Sequence, residues 1–284
     1  MLPLRIGPRT FAGPGPFLMG VLNVTPDSFS DGGRHAGVDA AVDWAERLAA
    51  EGADLLDVGG ESTRPGSLPV PAQEELDRVV PVLERLRARG YPLPISIDTC
   101  KPEVARAALA AGAHLLNDIQ GLVDPAMGRA AAAAGAPVVA QHMRGTPADM
   151  QRRVDYVDVV AEVREGLEAA LARALAAGLS REQVILDPGI GFAKTAAQNL
   201  LLLRELPRLR IEGCALLVGP SRKAFIGHVT GAAVGERLPG TLAAVTASVL
   251  GGAEFVRVHD VAEARQAALV AAAVRDASQS PAAK

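Results

Sequence analysis

Eight times along the 284-residue chain, a short apolar run ends in residues able to do chemistry. The first hands over to Asn23 and then to Thr25-Pro26-Asp27-Ser28-Phe29-Ser30-Asp31-Gly32-Gly33. The second hands over to Gly59-Gly60-Glu61-Ser62-Thr63-Arg64-Pro65-Gly66. The third ends in Asp98, the fourth in Asn117-Asp118 and the fifth in Gln141-His142-Met143-Arg144. The last three give Asp187-Pro188-Gly189, Ser221-Arg222-Lys223, and Arg257 with His259. A single Asp after a strand is an ordinary helix N-cap. Eight polar ends converging on one mouth are not explained that way.

The residue types indicate what such a mouth would bind. Asp98 and Asp187, with Asn117, offer carboxylate and amide groups with no metal-ligand cluster around them. A buried carboxylate needs donors, and a 2-amino-4-oxo-pyrimidine edge supplies two adjacent N–H groups. Arg257 and His259 belong to the last run and its end, a common phosphate position in α/β barrels. The Asn23 carbonyl could ligate a Mg²⁺ that otherwise keeps water and phosphate oxygens. The five histidines are too scattered for a zinc site. His142 is kept off the site as a satisfied strand-end histidine, Asp118 is read as structural, and Asp57 is read as structural and bonding inside the mouth.

The elements that must position these residues are eight β-rich runs, at residues 17–24, 54–58, 94–97, 114–116, 137–140, 183–186, 215–218 and 254–258. Between them lie segments of helical spacing, such as 40–50, 74–89, 103–111 and 157–177. Strand-then-helix alternation predicts parallel β-α units. Gly52-Ala53, Gly112-Ala113, Gly135-Ala136 and Gly252-Ala253 each close a helix just before a strand, where glycine suits a left-handed cap. Eight units close into a single (β/α)8 TIM barrel. An open doubly wound sheet would want a G-x-G-x-x-G turn after an early strand, and none is present. The first 15 residues are expected to cap the first strand as a short hairpin. One domain is expected over residues 1–275, with a disordered tail at 276–284. Trp44, at an apolar helix position, is assigned to the core.

Bulk properties narrow the partners. Hydrophobic residues make up 49% and charged residues 21%, which suits a globular protein with ample core. A net charge of −3 gives no reason to expect nucleic acid or a membrane surface. The only early apolar run is too short and broken for a secretory signal. Two distant cysteines, Cys100 and Cys214, fit a reduced, cytoplasmic protein without a disulfide or zinc framework. The chain has 25 arginines against four lysines, and three asparagines. Lys101, Lys194, Lys223, Asn23 and Asn117 nonetheless fall at strand ends or in the loops after them, which invites a chemical reason, although Lys101 could simply be solvated.

The string Asn23 to Gly33 resembles the first signature of the dihydropteroate synthases, and Asp57 to Gly66 resembles the second. Further similar strings are Ser96-Ile97-Asp98-Thr99, Asn117-Asp118, His142 to Pro147, Asp187 to Phe192, Gly219 to Lys223 and Arg257 to Val261. They run in order over most of the chain. The resemblance implies a transferase of folate biosynthesis that condenses (7,8-dihydropterin-6-yl)methyl diphosphate with 4-aminobenzoate. The products would be 7,8-dihydropteroate and pyrophosphate. By the same resemblance Asp98, Asn117, Asp187 and Lys223 hold the pterin, while Asn23, Arg257 and His259 form the pyrophosphate and Mg²⁺ group. Thr63, Arg64 and Ser221, walled by Phe29 and Pro65, form the 4-aminobenzoate pocket, and Phe192 is a further substrate contact. Asp98, Asn23, Arg257 and Lys223 are the implied catalytic set. A homodimer through helices late in the chain is implied as well.

Departures from the family pattern are small. Glycine is commoner where Ala193 stands, histidine where Gln198 stands and glutamine where Arg144 stands, and Gln120 replaces a smaller residue. Two other functions fit the fold. A methyltetrahydrofolate-dependent methyltransferase would share the pterin groups but needs no pyrophosphate group, and a non-catalytic pterin-binding barrel would show decay in Asn23 or Arg257. A phosphosugar aldolase would want a Schiff-base lysine on the sixth strand.

Overall fold

The computed structural model describes residues 3–25 and 33–277, with residues 33–36 described by backbone alone. Two short strands, β1 (Leu4–Ile6) and β2 (Arg9–Phe11), pair antiparallel as the expected hairpin. Eight more follow: β3 (Phe17–Asn23), β4 (Leu55–Gly59), β5 (Ile95–Asp98), β6 (Leu115–Asp118), β7 (Val138–Gln141), β8 (Val184–Asp187), β9 (Ala215–Val218) and β10 (Phe255–Val258). They close into a parallel barrel in which β10 pairs with β3. Helices separate them, among them Gly33–Ala50, Ala72–Ala88, Pro102–Ala111, Pro125–Ala134, Val159–Ala176, Leu238–Leu250 and Val261–Asp276. Gly52, Gly112, Gly135 and Gly252 all adopt positive φ before their strands, as the repeated Gly-Ala pairs predict.

Strand alternation divides the core into two. Outward residues such as Leu18, Leu56, Ile97, Leu116 and Val256 pack under the helices. Inward residues Met19, Leu55, Leu115, Val139, Ile185, Leu217 and Phe255 fill the lower barrel together with Leu4, Ile6 and Phe11 of the hairpin. Phe11 meets Phe17 edge-on at 5.0 Å, and both lie within 5.4 Å of Phe255. The hairpin is therefore the bottom plug of the barrel, and truncating a buried ring there should cost about 3–5 kcal/mol.

The inward pattern changes character towards the top. Two residues above Leu55 stands Asp57, above Leu115 stands Asn117, above Val139 stands Gln141, above Ile185 stands Asp187, and above Phe255 stands Arg257. Period-two geometry thus carries an apolar floor into a polar mouth. Five of the strands run further than the apolar runs suggest, so Asp98, Asn117, Gln141 and Asp187 are strand residues held by ladder pairing rather than loop residues.

Two expectations are corrected. Trp44 is 39% exposed, with the Arg47 guanidinium 4.9 Å from its ring, so it lies on the outer face of its helix. Asp276 ends the last helix instead of starting a tail, and residues 278–284 lie outside the described residues.

Candidate active site

Ladder register sets the first contacts. Gly59 pairs with Asp98, and Asp98 pairs with Asn117, so three adjacent strands end level. From β10, two strands away from β4 around the barrel, Arg257 donates from Nε to Asp57 Oδ2 at 2.6 Å and from Nη2 to Asp98 Oδ2 at 2.8 Å. Asn117 Nδ2 donates to the same Asp57 oxygen at 3.1 Å. Asp57, Asp98, Asn117 and Arg257 form one bonded cluster, and Asp57 and Asp98 each keep a buried oxygen, Oδ1, without a partner among the described residues. Unmet buried acceptors of this kind are where a ligand's N–H groups gain most.

Asp187 stands opposite, 4% exposed, its Oδ1 accepting from Gly189 N at 2.7 Å. Lys223 lies over the Phe192 ring with Nζ 3.9 Å from the centroid. Gly191 permits this approach, since a Cβ there would stand 2.7 Å from Lys223 Cδ. Ser221 Oγ and His259 Nδ1 are 2.9 Å apart, and His259 N also donates to that oxygen at 3.3 Å.

Burial dominates the ionisation of the cluster. It pushes the Asp98 carboxyl up to about 7 against the opposing pull of Arg257. It pushes Asp187 up to about 6, against the Gly189 N–H and the neighbouring lysines. Burial, reinforced by the Arg257 charge, brings Lys223 down to about 8. Burial and the same arginine hold the His259 imidazole down to about 3, so it is neutral in the ligand-free protein.

The expected site residues separate into those the fold assembles and those it leaves apart. Asp98, Asn117 and Arg257 are bonded together, and Lys223 with Phe192 and Ser221 with His259 are contacting pairs. Asn23 is half-buried at the end of β3, its side chain without a partner among the described residues. Thr63 borders a cavity of about 210 Å³ together with Asp98, Thr99, Lys101, Gln120 and Pro147. Arg64 and Pro65 are exposed on the same loop and do not line it. That loop is tied down by Gly66 N donating to Pro147 O at 2.9 Å and Val70 N to Glu61 Oε1 at 2.9 Å. Phe29 lies outside the described residues. Arg257, expected with the pyrophosphate group, rests instead on two carboxylates.

Some residues carry more than the sequence reading gave them. Asp57, expected to bond inside the barrel mouth, is the hub of the bonded cluster. Gln141 is 6% exposed, with Nε2 unpartnered among the described residues. Lys101 is not simply solvated: its ammonium bridges Glu61 and the fully buried Glu75, at 2.5 Å from Glu75 Oε2. The scarcity of lysine in this chain was the one available signal. Asp118 fits its structural reading, accepting from Gln120 N at 2.8 Å and Leu122 N at 2.9 Å outside the barrel mouth.

Known proteins match this architecture. The family model described as pterin binding enzyme matches residues 19–259. The dihydropteroate synthase of Synechocystis sp. is 46% identical over 275 residues, covering 96% of this chain and 95% of that protein. That of Escherichia coli strain K12 is 45% identical over 264 residues, covering 93% of each. Among solved structures, the Xanthomonas albilineans dihydropteroate synthase with 4-aminobenzoic acid superposes with a TM-score of 0.90 at 48% identity. It covers 97% of this chain and 99% of that one. The same organism's enzyme in complex with 7,8-dihydropteroate gives a TM-score of 0.87 at 45% identity, covering 97% and 100%. The chain belongs to the dihydropteroate synthase family of pterin-binding enzymes.

Proposed function

We infer that this chain joins 4-aminobenzoate to (7,8-dihydropterin-6-yl)methyl diphosphate, giving 7,8-dihydropteroate and pyrophosphate. The observation that carries the reading is the buried cluster of Asp57, Asp98, Asn117 and Arg257, with unmet carboxylate oxygens, facing Asp187 and Lys223 across one barrel mouth. Such a set matches a flat heterocycle with adjacent N–H donors on one edge and an anionic tail.

In this reading Asp187 accepts the pyrimidine N–H edge, Asn117 bonds the ring, and Lys223 faces its carbonyl or N5 from above Phe192. The ring's N–H groups stabilise the ionised form of both buried carboxylates. They also supply Asp98 with donors, which frees the Arg257 guanidinium to meet the diphosphate. The bond from the methylene carbon to the diphosphate oxygen breaks, its electron pair leaving with the diphosphate. Positive charge is shared into the pterin ring, where Asp98 stabilises it. The amine nitrogen then bonds to that carbon and loses its proton to water. Arg257 stabilises the leaving anion, and neutral His259 contributes a hydrogen bond; one such contact is worth about 2–4 kcal/mol.

A divalent cation fits the end of β3. Asn23 offers a neutral oxygen donor with no competing partner among the described residues, and no group of three or more His, Cys, Asp or Glu there forms an all-protein cage. Mg²⁺ suits a site that leaves its other positions to water and diphosphate. When bound, it supplies charge neutralisation of the leaving group.

Thr63, Arg64, Pro65 and Ser221 complete the amine pocket in this account, with Phe29 as a further wall, so the pterin substrate binds first. Exposed Leu250, Leu269, Val270 and Val274 on the last two long helices support a homodimer through that face. Two free cysteines suit a cytoplasmic setting, and no helix among the described residues is long and apolar enough to cross a membrane. Incubation with both substrates and Mg²⁺ should yield 7,8-dihydropteroate by chromatography. No product despite pterin binding would leave a methyltransferase or a binding-only barrel.

A further inference from the structure

The loop after β8 is pinned by a lysine that the reaction described above does not use. Lys194 is 3% exposed. Its ammonium donates to Gly189 O at 3.1 Å and Phe192 O at 2.9 Å, and it stands 3.1 Å from His142 Nδ1. An ammonium has three N–H donors, and here each has one acceptor. Burial brings this ammonium down to about 7, against the pull of the Asp187 carboxylate, so below that pH the three acceptors hold it as a cation and above it the amine keeps fewer donors.

His142 is built to serve as the third acceptor. Burial and the Lys194 charge hold its imidazole down to about 3, so the ring is neutral and Nδ1 can accept while Nε2 carries the hydrogen. The same residue presses the loop from two more directions. Its backbone N–H donates to Asp187 O at 2.8 Å, and its carbonyl oxygen lies 2.1 Å from where a Cβ on Gly189 would stand. Asn199 holds the loop from the other side, accepting from Gly191 N at 2.6 Å and donating to Thr195 O at 2.8 Å.

The loop thus fixed carries two parts of the pterin site. Gly189 N is the donor that orients the Asp187 carboxylate, and the Phe192 ring is the platform beneath Lys223. Both carbonyls that Lys194 holds belong to these same two residues, Gly189 and Phe192.

We propose that Lys194 is a positioning residue for pterin recognition, acting through the Gly189 and Phe192 carbonyls and His142 to set the Asp187 carboxylate and the Phe192–Lys223 pair. It touches no substrate itself. The inference rests on the pterin reading of the site.

The test is Lys194→Met, which keeps the apolar stem and removes all three donors. Calorimetric titration with 6-hydroxymethyl-7,8-dihydropterin, the ring without the diphosphate, is read beside the two KM values. Pterin affinity should fall at least fivefold and the pterin diphosphate KM should rise in parallel, while the 4-aminobenzoate KM stays within twofold. A smaller loss of affinity, or equal rises in both KM values, overturns the proposal. Should Lys194→Met fail to fold, His142→Leu removes one of the three acceptors and should weaken pterin affinity at least threefold; a smaller change overturns it. Failure of the parent protein to bind the pterin refutes the pterin reading itself, a result separate from either variant's.

Discussion

Arg257 Nε donates to Asp57 Oδ2 at 2.6 Å, joining the last strand of the barrel to the second across 200 residues of sequence. Asp57 is fully buried, and the same guanidinium also meets Asp98. The arginine is therefore both a structural tie at the mouth and, in the proposed reaction, the partner of the leaving diphosphate.

Removing that guanidinium should affect both roles. Arg257→Met leaves two buried carboxylates uncompensated, so the stability read from urea denaturation should fall by about 3–5 kcal/mol. Turnover should fall by about 10²–10³, as for loss of one anion-stabilising donor. An unchanged midpoint with turnover within a few-fold of the parent would refute both assignments.

The pH profile follows from three groups, because Asp98, raised to about 7 chiefly by burial, stabilises the developing positive charge only when ionised. Asp187, raised to about 6 chiefly by burial, accepts the pterin edge only when ionised. Lys223, lowered to about 8 chiefly by burial, is charged only below that pH. The pterin kcat/KM should therefore be bell-shaped, falling below about pH 7, more steeply below about pH 6, and above about pH 8. In Asp187→Asn the acid limb should persist through Asp98 alone, at a much lower overall rate. A flat profile from pH 5 to 9 would contradict this pairing of roles.

Stability should show the converse cost of Asp187. Its folded-state pKa is raised from 3.8, so its contribution is intact below about pH 4 and is lost as pH rises through about 6. Asp187→Asn should consequently be more stable than the parent at pH 8, by about 3 kcal/mol, and the difference should vanish near pH 4. Urea melts of the ligand-free proteins at the two pH values decide it. A variant less stable than the parent at pH 8 would mean that Asp187 gains more from its partners than burial takes away.

The amine pocket is tested on the exposed loop. Arg64 bonds none of the pterin residues, so Arg64→Ala should raise the 4-aminobenzoate KM more than tenfold while pterin affinity stays within twofold. Equal losses for both substrates would place Arg64 with the diphosphate instead.

Much of this arrangement is legible in the chain itself, because a barrel converts strand order directly into position. An apolar run followed by a polar residue suffices to place Asp98, Asn117, Asp187 and Arg257 at one mouth. Asp57 was legible only as a structural residue, since it lies one inward step below the end of its strand and looks like part of an apolar run. Its importance comes from Arg257, a partner supplied from the opposite end of the sequence. Lys101 and Lys194 both stood out by rarity, but what pairs with each depends on how separate loops and helices fold together. Glu61 and Glu75 meet Lys101 from a loop and a helix, and His142 meets Lys194 from just past the end of the neighbouring strand β7. Trp44 misled because helical spacing gives a face, and its helix turns that edge outward beneath Arg47.

The most direct test of the whole account is pyrophosphate release from the purified protein, given (7,8-dihydropterin-6-yl)methyl diphosphate and Mg²⁺, with and without 4-aminobenzoate. The account predicts release that depends on the amine and equals the 7,8-dihydropteroate formed. Tight pterin binding with no pyrophosphate released would contradict it.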